Sequence, residues 1–228
     1  MAERPVFISK NTFPFYEERN TMFMFHSGFA VSQKQRNIVD LHRAFIDNNP
    51  GWSVLEVSSK STELIGVKLS AFNVPYVLNG KEVSLESIFQ GSKVFEKGGP
   101  YHDLYDKGPV EAKKDQRIRE SGHIIGFSLD GTSFPSEPKD YFYNWIYSSA
   151  IYNRKDLISQ LLRFNAFTDI EFNPKKSLNC QARTVAIVRG LIEAGVLDET
   201  MKSPEAYLEL VYKVNKEYKQ PKQMSLFD

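Results

Sequence analysis

Cysteine, metal-ligand clusters and histidine pairs are almost absent from this chain. It has one cysteine, Cys180, in 228 residues, so no intramolecular disulfide and no group of cysteine metal ligands can form. Such usage is typical of a reducing compartment, and we expect a cytoplasmic protein. The four histidines, His26, His42, His102 and His123, are scattered along the chain. We therefore expect no metal and no cofactor.

Long apolar runs are also missing. The longest run without Asp, Glu, Lys or Arg covers residues 20–33, whereas a membrane span needs roughly 18 or more apolar residues. Residues 1–5 contain no apolar core of a signal peptide. We expect no contact with a membrane.

Neither sign of charge is in excess. There are 29 basic and 28 acidic residues, for a net charge of +1. This balance excludes a strongly cationic coat for nucleic acid but permits a local basic patch. A hydrophobic fraction of 41% is enough for a substantial core, and the length favours one large domain.

Apolar periodicity and turn residues predict an α+β fold, a predominantly helical single domain with a small β-sheet. Ser32 is the predicted N-cap of the first helix, and Asn79-Gly80 is a strong hairpin signal. Strands are predicted at residues 5–8, 22–25, 52–57, 64–69 and 76–78, and loops at 11–19, 130–138 and 167–174. Helices are predicted at residues 33–47, 83–95, 109–120, 141–152, 155–164, 179–194 and 204–218.

The helix predicted over residues 83–95 has a polar stripe of chemical interest. Glu86, Gln90 and Lys93 fall at i, i+4 and i+7, so they share one side of the helix. An acid, an amide and an amine in one line can hold a polar ligand and move protons. The alternative is a solvated face that carries an ordinary Glu/Lys pair.

Three blocks in order carry a family resemblance. They are the segment 69–72 (Leu-Ser-Ala-Phe), the segment 84–95 around Glu86, Gln90 and Lys93, and Leu178-Asn179 followed by Arg189. Together they resemble the NADAR family (YbiA-like), with its L-S-N-F block, E-h-x-F-Q-x-x-K-F helix and late G-x-N-x-L-G helix. Segments 90–96, 167–174 and 179–183 are similar to the subgroup that pairs with DarT-type toxins, which ADP-ribosylate guanine in DNA.

Several positions depart from the family pattern. The family Asn of the first block is Ala71 here, and the Gly, Leu and Gly of the late motif are Ser177, Gln181 and Ala182. The usual Trp-Gly before the late acid is missing. The resemblance therefore does not establish, for this chain, the substrate contacts that the family makes at these positions.

The resemblance implies an N-glycosidase that removes ADP-ribose from modified guanine in DNA, as an antitoxin or DNA repair enzyme. The expected partners are ADP-ribosylated DNA and the cognate ADP-ribosyltransferase toxin. Residues 1–200 are then the catalytic domain, 203–218 a C-terminal helix and 219–228 a flexible tail. The implied catalytic residues are Glu86, Lys93 and Asp169; the implied substrate-binding residues are Ser70, Phe72, Phe89, Gln90, Trp145, Asn179 and Arg183.

The chemistry suits these residue types. Departure of a base nitrogen from an anomeric carbon builds oxocarbenium character, which one carboxylate stabilises while an acid protonates the leaving group. Lys93 has two open roles, as a cation for phosphate or hydroxyls and as a neutral amine that attacks C1″. Three of these residues have an alternative role in the fold alone. Phe89 and Trp145 would then be core side chains, and Asp169 would cap a turn.

Two other functions compete with this one. The first is cleavage of ribosylamino pyrimidine intermediates of riboflavin synthesis, the other NADAR-type chemistry. The second is a non-catalytic protein that binds ADP-ribose or sequesters the toxin.

The chain ends in a short apolar signal. The last six residues, Gln-Met-Ser-Leu-Phe-Asp at 223–228, resemble the peptide that binds the bacterial sliding clamp, with Gln223, Leu226 and Phe227 as the contact residues. A peptide of this kind docks its apolar side chains into a groove on the partner. The alternative is a tail that folds back on its own domain.

Overall fold

The computed structural model of the chain describes residues 1–214. Helices predominate and are combined with small sheets in a single domain, so the predicted α+β class is confirmed. The strands are β1 (Ala2–Ser9), β2 (Tyr16–Phe23), β3 (Val54–Glu56), β4 (Pro75–Leu78), β5 (Lys81–Ser84), β6 (Lys93–Phe95), β7 (Ile124–Leu129), β8 (Thr132–Pro135) and β9 (Ala166–Thr168). The helices are α1 (Val31–Asn48), α2 (Leu64–Leu69), α3 (Leu85–Gly91), α4 (Pro109–Lys114), α5 (Arg117–Glu120), α6 (Tyr141–Tyr152), α7 (Lys155–Leu161), α8 (Gln181–Glu193), α9 (Leu197–Thr200) and α10 (Pro204–Tyr212), with a 3₁₀ turn at His102–Asp106.

A four-stranded sheet with the order β2-β1-β9-β3 separates two apolar cores. In β1, Val6 and Ile8 face α1, where Ile38 and Leu41 are buried. Phe7 points to the other side and belongs to the larger core. Because successive side chains of a strand point to opposite faces, the one apolar run of β1 serves both cores. β9 is antiparallel to β1 and parallel to β3.

The larger core is built around α6, which is buried along almost its whole length. On one side Phe142 stacks on Phe127 of β7, with ring centroids 4.4 Å apart. On another side Trp145 meets Tyr207 of α10 at 5.6 Å. A helix that is apolar all round is typical of a central element, and α6 therefore holds together the parts of the fold that carry the site.

One predicted strand is wrong. Residues 64–69 form the helix α2, in which Ile65 and Leu69 are buried. A short apolar run fits a buried strand and a buried helix equally well by periodicity alone. Gly66 fixes the close packing here, because a Cβ at this position would lie 2.0 Å from the carbonyl oxygen of Glu56.

The helix predicted over 83–95 is also too long. α3 starts after Ser84, whose side chain accepts a hydrogen bond from the Ser87 amide, and it ends at Gly91. A Cβ on Gly91 would lie 2.6 Å from the Tyr105 ring, so the chain leaves the helix where that ring packs. Lys93 is the first residue of β6 and pairs with Phe127 of β7.

Other boundaries shift as well. α1 follows Ala30 without a side-chain cap, so the predicted Ser32 cap is wrong. The predicted loop 11–19 includes the start of β2, the loop 130–138 includes all of β8, and the loop 167–174 includes part of β9. The predicted helix 109–120 is split into α4 and α5, and the predicted helix 204–218 ends at Tyr212, where Lys213 adopts a φ of 54°.

The C-terminal helix packs into the main core. Tyr207 and Val211 of α10 are buried, and the Tyr141 hydroxyl donates to the Pro204 carbonyl at 2.7 Å. Every helix within residues 1–214 is too short or too polar to cross a membrane.

Candidate active site

Helix α3 places Glu86 and Gln90 beside the larger core. Leu85 and Ile88 of this helix are fully buried and anchor it, while Ser84 caps its first turn. Glu86 lies in that first turn, where a carboxylate interacts favourably with the helix dipole. The buried residues thus fix the orientation of the polar side of α3.

The three side chains of the predicted polar stripe form a continuous hydrogen-bonded chain. Lys93 Nζ donates to Gln90 Oε1 at 2.6 Å, and Gln90 Nε2 donates to Glu86 Oε1 at 2.7 Å. The amide therefore presents its acceptor to the amine and its donor to the carboxylate. Although Lys93 lies on β6 rather than on the helix, the structure brings it together with Glu86 and Gln90.

Lys93 is held in an apolar setting. Its side chain is 8% exposed, and Nζ lies 4.6 Å from the centroid of the Phe89 ring. Burial lowers the pKa of Lys93 to about 8, an effect that the Glu86 charge opposes and the Lys113 charge reinforces. Near neutral pH a fraction of this amine is therefore unprotonated, as a lysine nucleophile requires.

Tyr143 of α6 connects this group to a second carboxylate. Its ring meets Phe89 edge-on at 5.5 Å. Burial raises the pKa of Tyr143, and the charges of Asp169 and Glu86 raise it further. Both carboxylates are therefore within electrostatic reach of one phenol, although Asp169 lies far from Glu86 in sequence.

Asp169 follows β9 directly and is 7% exposed. It accepts hydrogen bonds from the Glu171 amide at 3.0 Å and from the Gln181 side chain. Gln181 Oε1 also accepts from the Ala71 amide at 2.8 Å. Burial raises the pKa of Asp169 to about 6, and the Gln181 bond opposes that rise. Gln181, which departs from the family pattern, thus ties the 69–72 block to the late carboxylate.

A buried network behind Asp169 was not predicted. Glu56 is 1% exposed and accepts hydrogen bonds from Ser58 Oγ at 2.6 Å, Thr168 Oγ1 at 2.6 Å and the Ile170 amide at 2.9 Å. Burial, and next the charge of Asp169, raises the pKa of Glu56 to about 8. The signal in the sequence was an acid inside the apolar strand predicted over 52–57, because such a side chain must find partners when buried.

The same network reaches α1. His42 Nε2 lies 2.8 Å from Thr168 Oγ1. Because the threonine hydroxyl donates to Glu56, its lone pair accepts from the Nε2–H of a neutral His42. Burial lowers the pKa of His42 to about 4. His42, Thr168 and Glu56 therefore hold both neighbours of Asp169 in place.

Two other predicted binding residues, Asn179 and Arg183, differ in whether their polar groups are free to bind a ligand. Asn179 Oδ1 is buried and has no hydrogen-bond partner among residues 1–214, so an acceptor stands free next to α8. Arg183 is already engaged, because its guanidinium pairs with Asp140 at 3.1 Å and donates to the Leu178 carbonyl. The Arg183 group thus fixes the loop that carries Asn179.

The aromatic candidates separate by environment. Phe72 is half exposed beside Ala71, as a stacking platform requires, and Phe89 is part of the ring cluster under Lys93. Trp145 packs on Tyr207, on a different side of α6 from Tyr143. Ser70 is fully buried, and its Oγ accepts from the Phe72 amide at 3.4 Å. Trp145 therefore faces away from Phe89 and Lys93, and the Ser70 hydroxyl bonds to the backbone of its own turn.

One surface depression lies apart from this group. An open depression of about 590 Å³ lies along the start of α4 and shares no residue with Glu86, Gln90 or Lys93. The hydrogen-bonded chain of Glu86, Gln90 and Lys93 has the charges and the buried amine that chemistry needs. Within residues 1–214 no group of three or more His, Cys, Asp or Glu side chains is arranged to hold a metal ion. Gln223, Leu226 and Phe227 lie outside the described residues.

The family model described as DarT1-associated NADAR antitoxin matches residues 2–221. This range includes all the residues of the candidate site. No curated protein matches the chain.

Proposed function

Because the chain belongs to the family of DarT1-associated NADAR antitoxins, we propose that it is an N-glycosidase that removes ADP-ribose from modified guanine in DNA. Membership supports an antitoxin role and a cognate DarT toxin as partner. The residues of the candidate site support this substrate and this reaction.

One observation carries the proposal. A buried lysine amine with a pKa near 8 is joined through Gln90 to Glu86, and a second buried carboxyl, Asp169, acts on the same tyrosine as Glu86. Two carboxyl groups in different environments are the usual equipment for cleavage at an anomeric carbon. Burial of the lysine amine carries a desolvation penalty, which an ion pair that serves only stability can avoid by lying at the surface.

The two carboxyl groups have different tasks in this reaction. Asp169, with a pKa raised to about 6, exchanges a proton near neutral pH and protonates the departing guanine. Glu86 is partly exposed and is fixed by Gln90, so its charge stabilises the oxocarbenium character at C1″. Water then adds to C1″, its proton returns to the carboxylate of Asp169, and free ADP-ribose leaves.

Lys93 fits two versions of this scheme. As a cation it holds a ribose hydroxyl or a phosphate oxygen. As a neutral amine, its nitrogen forms a bond to C1″ while the bond to guanine breaks and the base takes up a proton; ring opening gives an imine, which water hydrolyses to ADP-ribose. Borohydride added during turnover reduces such an imine and leaves ADP-ribose attached to Lys93, whereas no adduct forms in the first version.

Two side chains are available to bind substrate, one through an unpaired hydrogen-bond acceptor and one through an exposed ring. Asn179 offers a buried acceptor without a partner among residues 1–214 to a ribose hydroxyl. Phe72 offers an exposed ring to guanine or adenine. Arg183 acts indirectly, since its ion pair with Asp140 fixes the loop before α8.

The test is incubation with an oligonucleotide that carries one ADP-ribosylated guanine. We expect loss of the adduct and release of ADP-ribose, and we expect Glu86→Gln, Lys93→Ala and Asp169→Asn to lose at least about 100-fold in rate while keeping the wild-type melting temperature. Lys155→Ala, an exposed lysine on α7, is the matched control. Wild-type rates in all three site variants contradict the assignment.

The same experiment separates the competing functions. Tight binding of the modified strand without release of ADP-ribose favours a non-catalytic binder. Neither binding nor release, together with turnover of ribosylamino pyrimidines, favours the metabolite enzyme. Titration with the purified toxin, followed by its activity on DNA, tests sequestration directly.

A further inference from the structure

Tyr143 lies within reach of both carboxyl groups of the candidate site, although the reaction described for Asp169, Glu86 and Lys93 does not use it. It belongs to the first turn of α6, a helix that is buried along almost its whole length. Its ring meets Phe89 edge-on at 5.5 Å and the Tyr147 ring at 5.9 Å. The side chain is 8% exposed. Packing therefore fixes the ring and leaves the hydroxyl as the group that can act.

The Tyr143 hydroxyl has no hydrogen-bond partner among residues 1–214. Burial and the charges of neighbouring groups act on this phenol, but no hydrogen bond does. Other buried tyrosines are engaged: the Tyr147 hydroxyl donates to the Leu69 carbonyl, and the Tyr207 hydroxyl lies 2.9 Å from Ser148 Oγ. Buried polar groups in folded proteins nearly always have a partner. An unpaired hydroxyl inside the candidate site therefore indicates a contact with the substrate.

The surroundings keep this phenol protonated. Burial raises the pKa of Tyr143 well above its ordinary range, and the charges of Asp169 and Glu86 raise it further. The two carboxylates bond elsewhere, Asp169 with Gln181 and Glu86 with Gln90. A phenol that does not ionise cannot act as a base, but it offers an O–H donor. The substrate group that it meets is therefore a hydrogen-bond acceptor.

The charges on either side decide which part of the substrate this donor serves. In the proposed reaction Asp169 protonates the departing guanine, and Glu86 stabilises positive charge at C1″. A donor to the ribose ring oxygen would oppose that positive charge, whereas a donor to the base stabilises the negative charge that the base gains as the bond breaks. Of the two carboxylates, Asp169 acts more strongly on Tyr143. The hydroxyl is therefore best placed to serve the base.

We infer that Tyr143 is a further catalytic residue, whose hydroxyl donates a hydrogen bond to the carbonyl oxygen O6 of the departing guanine. The bond between C1″ and the base breaks, Asp169 supplies the proton, and Tyr143 stabilises the charge that spreads to O6. The contact also favours guanine over adenine, which presents an amino group in place of this oxygen. The inference rests on the proposed function, because it names an atom of that substrate.

The first test needs no substrate. Tyr143→Phe removes a hydroxyl that bonds to no other group within residues 1–214, so its melting temperature should equal or exceed that of the wild type. Tyr147→Phe, the matched control one turn later on α6, leaves the Leu69 carbonyl without its donor and should melt at least about 2 °C lower. Thermal unfolding followed by circular dichroism measures both. An equal fall in the two variants shows that the Tyr143 hydroxyl serves the fold and overturns the inference.

The second test compares ADP-ribosyl-guanosine with its 6-thioguanosine analogue. Tyr143→Phe should lower kcat/KM for the guanosine substrate about 100-fold, as loss of a donor to developing charge does. Because sulfur is a weak acceptor, the loss should shrink to less than about 10-fold with the analogue. Any effect of Tyr147→Phe should be the same with both substrates. No loss in Tyr143→Phe, or an equal loss with oxygen and sulfur, overturns the contact.

Binding separates this inference from the proposed function. If the wild type releases no ADP-ribose, the proposed function fails, and the affinity of the protein for ADP-ribosyl-guanosine is measured instead by calorimetry. Weaker binding by Tyr143→Phe, with the loss reduced for the 6-thioguanosine analogue, then supports the contact without the reaction. Equal affinity of Tyr143→Phe and the wild type overturns it. Hydrolysis by the wild type at an unchanged rate in Tyr143→Phe overturns the contact and leaves the proposed function standing.

Discussion

At the scale of single residues, the chemistry depends on how Gln90 is placed. Its amide accepts from Lys93 and donates to Glu86, so it keeps amine and carboxylate apart while linking them. A direct ion pair would hold Lys93 in its charged form. The amide therefore preserves the lowered pKa of the lysine.

Two substitutions should move the pKa of Lys93 in opposite directions. Gln90→Glu places a carboxylate next to Nζ and should raise the pKa above about 8, because an opposite charge favours the ammonium form. Glu86→Gln removes the charge that now favours that form and should lower the pKa further. NMR titration of the lysine side chain measures both. A shift in the same direction in the two variants contradicts the electrostatic role of the chain.

Glu56 should make the stability of the protein depend on pH. Its pKa is raised from an ordinary value near 4.5 to about 8 in the folded state, so the folded protein binds a proton that the unfolded chain has released. Its contribution to stability is complete below the unfolded pKa and is lost as pH rises through about 8. Glu56→Gln removes the titration, and its melting temperature should fall less than that of the wild type between pH 5 and pH 8.

Thermal unfolding followed by circular dichroism across this pH range is the measurement. We expect a difference of about 1–3 kcal/mol in the pH-dependent part of the free energy of unfolding. His42, with a pKa lowered from about 6.5 to about 4, contributes stability that is lost as pH falls between these two values. This contribution is the same in both proteins and cancels in their difference. Parallel curves for the two proteins above pH 5 contradict the buried state of Glu56.

At the scale of secondary structure elements, the site depends on where α3 stops. Gly91 ends the helix, and the chain turns so that Lys93 enters β6 beside Gln90. Gly91→Ala would place a Cβ 2.6 Å from the Tyr105 ring and 2.9 Å from the Tyr101 carbonyl oxygen. Because the backbone cannot yield easily, we expect a loss of about 1–3 kcal/mol in stability.

Gly108→Ala is the matched control for this change. A Cβ on Gly108 meets no atom within 4 Å, and its φ of −63° suits alanine. This substitution should be neutral or slightly stabilising. Equal melting temperatures for the two alanine variants would show that Gly91 is not tightly packed.

The elements also show which parts of the fold can be predicted from sequence. α1, α6 and α8 were predicted because each has a long apolar pattern at helical spacing. α2 was predicted as a strand, since six residues are too few to reveal a period. Phe167 and Thr168 of β9 were predicted as loop, because this short strand gains its hydrogen bonds from β1 and β3, which are distant in the sequence.

In the candidate site too, residues close in sequence could be predicted together, and residues brought together by the fold could not. Glu86, Gln90 and Lys93 are neighbours in sequence, so their spacing was enough to group them. Glu56, Thr168 and His42 meet only through the parallel pairing of β3 with β9 and the packing of α1 on the sheet. Trp145 was grouped by residue type, which does not reveal that its side of α6 faces Tyr207.

At the scale of the whole molecule, the last residues of the sequence carry a motif that the candidate site does not explain. Residues 223–228 lie outside the described residues, and their sequence, Gln-Met-Ser-Leu-Phe-Asp, is similar to a sliding-clamp-binding peptide. We propose that it brings the protein to replicating or repaired DNA. Such peptides bind through two apolar anchors, here Leu226 and Phe227.

Pull-down of the purified clamp with the full chain tests this proposal. Leu226→Ala/Phe227→Ala should reduce recovery at least about 10-fold, because anchor residues supply most of the binding energy in small interfaces. Lys219→Ala, in the same segment but outside the motif, should recover the clamp like the wild type. Hydrolysis of a free modified oligonucleotide should be unchanged in the double variant, since the candidate site lies within residues 70–183. Equal recovery by the wild type and the double variant contradicts clamp binding and leaves the candidate site unaffected.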